Sequence, residues 1–223
     1  MSKTAATKPH LEIRVVVFTL QENRLKVLLA PAQESFFAGR WMLPDAPILE
    51  CTLEKSAAKQ IEQLTGVGEV YLEQLYTYGD PGRHPACRLI SIVYFALIPA
   101  DSLQATKDAN NNSRWYGLEE LPPLVMDHGE ILDYALRRLR YKLEYSAVGF
   151  ELLPEFFTLS ELQHTYELIL GEKLDKRNFR RRILEAGIIE ATPHRRSGEG
   201  RPALLYRYRP DAVAEVKARR LFP

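Results

Sequence analysis

The densest chemistry in this sequence lies between Lys173 and Arg209. Eleven Lys/Arg stand there against four acids, in a chain whose net charge is only +1. A local surplus of about +7 is an electrostatic footprint for a polyanion. Inside it, "DKRNFRRRILEAG" reads as a helix with Asp175 as N-cap and Gly187 just past its end. Phe179, Ile183 and Ala186 fall at i, i+4 and i+7 and form its buried stripe. At about 100° per residue, Arg177 and Arg181 point away from that stripe, with Lys176, Asn178 and Arg180 beside them. Arg offers paired donors to guanine and Asn matches adenine, so this face suits a major groove. Arg195, Arg196 and Arg201 sit on a Gly-containing hairpin tip suited to phosphate or minor-groove contact. The competing reading is a solvated basic surface on a small interaction domain.

The elements around this cluster favour DNA. "LSELQHTYELILG" is a helix ending at Gly171, and "IIEAT" and "ALLYRYR" are strands joined by "PHRRSGEGRP". Helix, turn, helix, hairpin is the winged-helix order. RNA modules offer aromatic platforms on a sheet, and none is evident here. Tyr206 and Tyr208 read as core packing.

Upstream, "EIRVVVFTL" and "RLKVLLA" predict a hairpin across "QEN", and "EVYLEQLYTY" and "RLISIVYFALIP" are strands. A short strand "RWYGL" precedes a long helix from about Met126 to Tyr145, where Asp127 and Glu130 form an Asp-type capping box. Residues 1–10 are expected to be a flexible tail, residues 11–149 one domain and residues 150–223 a second, with the boundary near Phe150. The two cysteines, Cys51 and Cys87, make no disulfide framework, and metal-type Cys/His spacings are absent. The start lacks the apolar core of a signal peptide, and the longest apolar stretch is too short to span a bilayer. A cytoplasmic protein with no membrane partner is expected.

A second constellation is carried by "LPDAPILECTLEKSAAKQIEQLTGV", Leu43 to Val67. It resembles the Nudix box without a gap. That box runs Gly, five residues, Glu, seven residues, then Arg-Glu-aliphatic-any-Glu-Glu-any-Gly-aliphatic. Its Gly and first Glu fall on Asp45 and Cys51. Its Arg-Glu becomes Lys59-Gln60, and its Glu-Glu pair becomes Gln63-Leu64. Ile61, Gly66 and Val67 keep the pattern. Positions 60, 63 and 64 share one helical face. In Nudix hydrolases that face holds carboxylates for magnesium, a hard cation that requires charged oxygens. Gln, Gln and Leu supply none, and Glu62 lies roughly 160° to 200° around the helix from positions 60 and 64. No catalytic residue, metal ligand or required cofactor is therefore assigned.

A degenerate Nudix domain followed by a winged helix resembles the Nudix-related transcriptional regulators, the NrtR family. The resemblance spans nearly the whole chain. Its most specific stretches are "LEQLYTYGDPGRHPACRLISIVYFAL", "DHGEILDYALRRLRYKLEY", "FTLSELQHTYELILGEKLDKRNFRRRILEAGIIE" and "GRPALLYRY". It implies an α+β protein, a Nudix-type mixed sheet sandwiched by helices with a smaller winged-helix domain after it. It also implies a repressor of NAD-metabolism genes, a homodimer on palindromic double-stranded DNA, released by ADP-ribose or a related nucleotide.

By the same resemblance the effector pocket lies over the box, walled by "FFAGRW" and "YGDPGRHPACR". Arg40, Arg83 and Arg88 are candidates for phosphate, Phe36, Trp41 and Tyr78 for base stacking, Asp80 for ribose hydroxyls, and His128 for the pocket edge. Each has a plainer alternative. Trp41 as a core anchor, Asp80 as the start of a turn, Arg83 as a solvated loop charge and His128 as a surface residue stay open. Relatives read close to "GDPGRDPRGR" where this chain has "GDPGRHPACR". The change at His84, Ala86 and Cys87 leaves open a sugar-responsive regulator of the same architecture. An active pyrophosphatase is the less favoured reading.

Overall fold

Two apolar strands anchor the first half of the chain. β1 (His10–Gln21) is buried without a break from Ile13 to Thr19, and β6 (Leu89–Ile98) from Val93 to Ile98. Continuous burial means that both faces of each strand are covered, the signature of strands inside a sheet with layers on either side. They lie side by side in the sheet order β3-β2-β1-β6-β5, which also takes in β2 (Arg24–Pro31), β3 (Trp41–Met42) and β5 (Tyr71–Tyr78). His10 N–H donates to Arg88 O at one end, and Thr19 Oγ1 donates to Ile98 O at the other. β1 and β6 therefore run the same way. β5 and β6 are antiparallel, so the sheet is mixed. β4 (Asp45–Ala46) adds to β1, and β7 (Arg114–Gly117) adds to β2.

This computed structural model describes residues 8–104, 112–144, 146–197 and 202–212. Most of the predicted tail and Arg201 of the predicted DNA-binding set lie outside the described residues, as does Tyr145 at the expected end of the long helix. His10, assigned to the tail, already opens β1.

The β1–β2 turn is Glu22-Asn23, both at positive φ (53° and 58°), the backbone that a two-residue hairpin twist needs. α1 (Leu53–Thr65) starts at Thr52, whose hydroxyl accepts from Lys55 N–H, and ends at Gly66 with φ 74°. That left-handed cap is why glycine stands there. α1 packs against β4 and β5. A short α2 (Ala100–Gln104) follows β6. α3 (His128–Leu143) buries Ile131, Leu132, Ala135, Leu139 and Leu143 on one stripe.

The chain divides into two compact units, one drawing on residues up to Phe18, Lys26–Leu97 and the chain up to Ala135, the other on Thr19–Leu25, Ile98–Gln104 and the chain from Leu136. In the second unit a 3-10 turn over Val148–Leu152 leads to α4 (Leu159–Leu170) and α5 (Lys176–Glu185). The hairpin β8 (Ile189–Arg196) and β9 (Ala203–Tyr208) completes it. Phe157 bridges to Tyr206 through two backbone hydrogen bonds, which docks the segment before α4 onto the hairpin. The core here is Phe157, Leu162, Tyr166, Ile169, Phe179, Ile183 and Ile188.

Candidate functional site

In the second unit, caps fix where the basic helix begins. Thr158 and Glu161 form a capping box at the start of α4. The Glu167 carboxylate then accepts from Leu174 N–H, Gln163 Nε2 and Lys173 Nζ, stapling the turn. Asp175 Oδ1 accepts from Asn178 N–H at 2.7 Å and starts α5. With Phe179 and Ile183 buried, Lys176, Arg177, Asn178 and Arg181 are all exposed. Arg181 Nη2 donates to Asn178 Oδ1 at 2.9 Å, so the two side chains present one joint polar surface. Arg180 is half-buried and bonds Ser160 Oγ at 3.1 Å, which links α5 to the start of α4. On the wing, Arg195 is exposed, with a long contact of 3.4 Å to Pro202 O. Arg196 folds back instead. It donates to the Glu161 carboxylate and, at 3.0 Å, to Phe156 O.

The first unit holds a cleft of about 390 Å³, lined by Glu12, Arg14, Glu34, Asp45, His84 and Cys87 among other polar and apolar groups. Its floor is an ion pair on β1. Glu12 and Arg14 are two apart and so share one face of the strand. Arg14 bonds both Glu12 carboxylate oxygens, at 2.8 and 2.6 Å, and Leu43 O at 2.9 Å. Burial pushes the Glu12 carboxyl up, but Arg14, Ser91 and Arg83 outweigh it and leave it below the usual carboxylate range. Ser91 carries the network onward, donating to Glu12 and accepting from Arg83.

None of the eight predicted effector residues lines this cleft. The Arg83 side chain is 3% exposed and makes two 2.8 Å bonds to Asp127. Those bonds occupy both oxygens of the expected N-cap. Tyr78 lies under Arg83, with the guanidinium 5.8 Å from the ring centre, and burial first, then Tyr134 and Asp127, pushes its hydroxyl up to about 12. His128 is fully buried, which removes the surface alternative. Its Nδ1 accepts from Leu43 N–H at 3.0 Å and Nε2 has no partner, so it anchors the entry to the box. Trp41 packs on Tyr116 at 4.9 Å with Arg114 over its ring, while Met42, on the opposite face of β3, lines the cleft. Phe36 is exposed and touches Phe37 and His84. Arg40 is exposed and reaches Leu124 O at 3.4 Å. Asp80 is exposed, and Arg88 is half-buried with Nη1 unpartnered.

The lining residues that sequence reasoning missed had a readable signal. Glu12 and Arg14 interrupt an apolar strand at spacing two, a pattern that marks a charged pair aimed at one face. On α1, Gln60 and Leu64 are half-buried and Gln63 is exposed on the shared face, while Glu62 is exposed and lies against Gly68. Among the described residues, no three His, Cys, Asp or Glu side chains are arranged to hold a metal ion, and no helix is long and apolar enough to cross a membrane.

Residues 149–208 match the family model described as the NrtR DNA-binding winged helix domain. The chain is 33% identical over 211 residues to the ADPR responsive transcriptional repressor NtrR of Acinetobacter baylyi, covering 92% of this chain and 84% of the relative. It is similar to the crystal structure of Shewanella oneidensis NrtR complexed with a 27mer DNA, with a TM-score of 0.83, 34% identity and coverage of 92% of this chain and 95% of that one. The Nudix domain of the same Shewanella protein, in a cocrystal with ADP ribose, matches with a TM-score of 0.52 and 29% identity, covering 62% of this chain and 94% of that one. The ADP-ribose pyrophosphatase of Methanocaldococcus jannaschii is 31% identical over 128 residues, 56% of this chain and 75% of the enzyme. A third of the aligned positions shared with a repressor along nearly the whole chain, across both the Nudix-like part and the winged helix, makes this protein a member of the NrtR family of Nudix-related transcriptional regulators.

Proposed function

We propose that this protein is an effector-responsive transcriptional repressor of NAD-metabolism genes that senses ADP-ribose or a related nucleotide. The observation that carries the reading is the pairing of an exposed Arg177, Asn178 and Arg181 face on α5 with likeness to a repressor over 92% of the chain. Residues 150–223 bind double-stranded DNA. Arg177, Asn178 and Arg181 read bases, while Lys176, Arg180, Arg195, Arg196 and Arg201 serve phosphates. Two copies, joined as a homodimer, present two such helices to the half-sites of a palindrome one or more helical turns apart.

Residues 11–149 bind the effector at the cleft over Glu12 and Arg14. Phe36, Arg40, Asp80 and Arg88 form its rim, while Tyr78, Arg83 and His128 position the walls. Trp41 serves as packing. The magnesium of Nudix hydrolases does not fit α1, because Gln60, Gln63 and Leu64 offer it no charged oxygen. A sensor gains nothing by cleaving its signal, and loss of carboxylates removes repulsion toward an anionic ligand.

The likeness to an archaeal pyrophosphatase keeps hydrolysis as the second reading. One experiment separates them. Full-length protein incubated with ADP-ribose and magnesium should bind it by calorimetry and release no AMP. Magnesium-dependent AMP release that persists in Arg177→Ala but vanishes in a cleft variant such as Arg14→Ala would favour the enzyme.

A further inference from the structure

Cys87 Sγ lies 3.3 Å from His84 Nδ1, and the other ring nitrogen, Nε2, faces Glu34 Oε2 at 3.4 Å. All three side chains line the same cleft. The backbone N–H of Ala86 also points at His84 Nδ1, at 3.2 Å. A backbone N–H can only donate, so Nδ1 carries a lone pair and the ring proton sits on Nε2, toward Glu34. The ring packs edge-on against Phe36 and Phe37, with centroids 5.7 and 6.0 Å away. The His84 side chain is 8% exposed, whereas Cys87 is open to solvent. Thiol, acceptor nitrogen and the carboxylate near its far side stand in the order that a nucleophile, a base and its orienter would take. Cys51 has no such partners. It is half-buried, with Ser56 Oγ at 3.5 Å.

We propose that Cys87 is a modification site, a thiol that exchanges with low-molecular-weight disulfides of zwitterionic thiols, and that the adduct closes the effector cleft. The second half rests on the effector reading above. His84 Nδ1 exchanges the Ala86 N–H for the Cys87 proton, and the sulfur attacks one sulfur of the disulfide. A new S–S bond to Cys87 forms as the old one breaks, and the departing thiolate takes the proton back from His84. One thiol and one disulfide become one mixed disulfide and one thiol, with Cys87 oxidised and the departing sulfur reduced. The lining carries both signs, Glu12, Glu34 and Asp45 with Arg14, which complements a zwitterion.

Glutathione disulfide is the probe, with the full chain followed by mass spectrometry. Cys87 should form its adduct about tenfold faster than Cys51, and His84→Gln should slow Cys87 about tenfold. Glu34→Gln should slow it about threefold. An unchanged Cys51 rate in both variants reports an intact fold. Equal rates at the two cysteines, or a Cys87 rate indifferent to both substitutions, overturns the activation. Calorimetry with ADP-ribose should then show binding at least about tenfold weaker in the adduct, restored by dithiothreitol. Undiminished binding overturns the closure. Reduced protein that binds no ADP-ribose refutes the effector reading instead, while the rate comparison still decides the thiol.

Discussion

His128 has a neutral ring held in a place where a charge would be costly. Burial, then the neighbouring Arg14 and Arg83 charges, lowers its pKa to about 2. Above roughly pH 6.5 the ring is neutral in both folded and unfolded chains and adds no pH dependence. Below that value the unfolded chain takes up a proton that the folded chain refuses. Stability then falls with pH by up to about 1.4 kcal/mol per unit until the folded-state value is reached. His128→Asn keeps an acceptor for Leu43 N–H and removes the titration. Denaturant titrations between about pH 6 and 4 should show a shallower loss in the variant; parallel slopes would contradict the argument. On the proposed DNA face, Arg177→Ala should cost about 1–3 kcal/mol at one base position and leave random DNA nearly unaffected. Arg195→Ala should weaken operator and random DNA alike and lower the salt slope by about one. Salt-dependent binding isotherms on both DNAs check the pair of outcomes. Arg196 is a lesser test, because Glu161 already holds its guanidinium. The Arg177 and Arg181 face was legible because helical periodicity alone decides which side Phe179 and Ile183 leave free. The partners of Arg83 were not, because Asp127 lies 44 residues away and no local pattern links them.

The elements themselves were legible wherever a local rule ends them. The Glu22-Asn23 turn, Gly171 and Asp175 each mark a boundary by backbone or capping chemistry, and each stands where the pattern put it. Asp175→Ala should therefore cost about 1 kcal/mol and fray the start of α5. Because Arg177 and Asn178, two of the three residues proposed to read bases, sit in that first turn, operator affinity should fall more than global stability does. Circular dichroism melts beside binding isotherms make the comparison, and equal losses would contradict it. Gly149 shows where local reading stops. It reads as a junction residue, yet a Cβ there would meet Tyr166 Cε2 at 2.8 Å and Leu143 Cδ2 at 2.9 Å. Both neighbours are buried. Gly149→Ala should destabilise by about 1–3 kcal/mol through overpacking, measured by denaturant unfolding. An unchanged midpoint would show that Tyr166 has room to move.

Across the whole molecule, the account requires that one ligand bind the DNA-competent and DNA-released states with different affinity, since equal affinity shifts nothing. In the proposed linkage the two ends are the cleft with its charged floor on β1 and the basic helix α5. The central claim is that ADP-ribose controls DNA binding, and one titration tests it. Full-length protein is bound to fluorescent DNA from upstream of its own gene and of NAD-metabolism genes, with random DNA as control, and ADP-ribose is added to the complex. Binding should be specific and reversed by ADP-ribose at about micromolar levels, with random-DNA binding unchanged. Specific binding that ignores ADP-ribose at millimolar levels, in protein whose Cys87 is kept reduced, would contradict it.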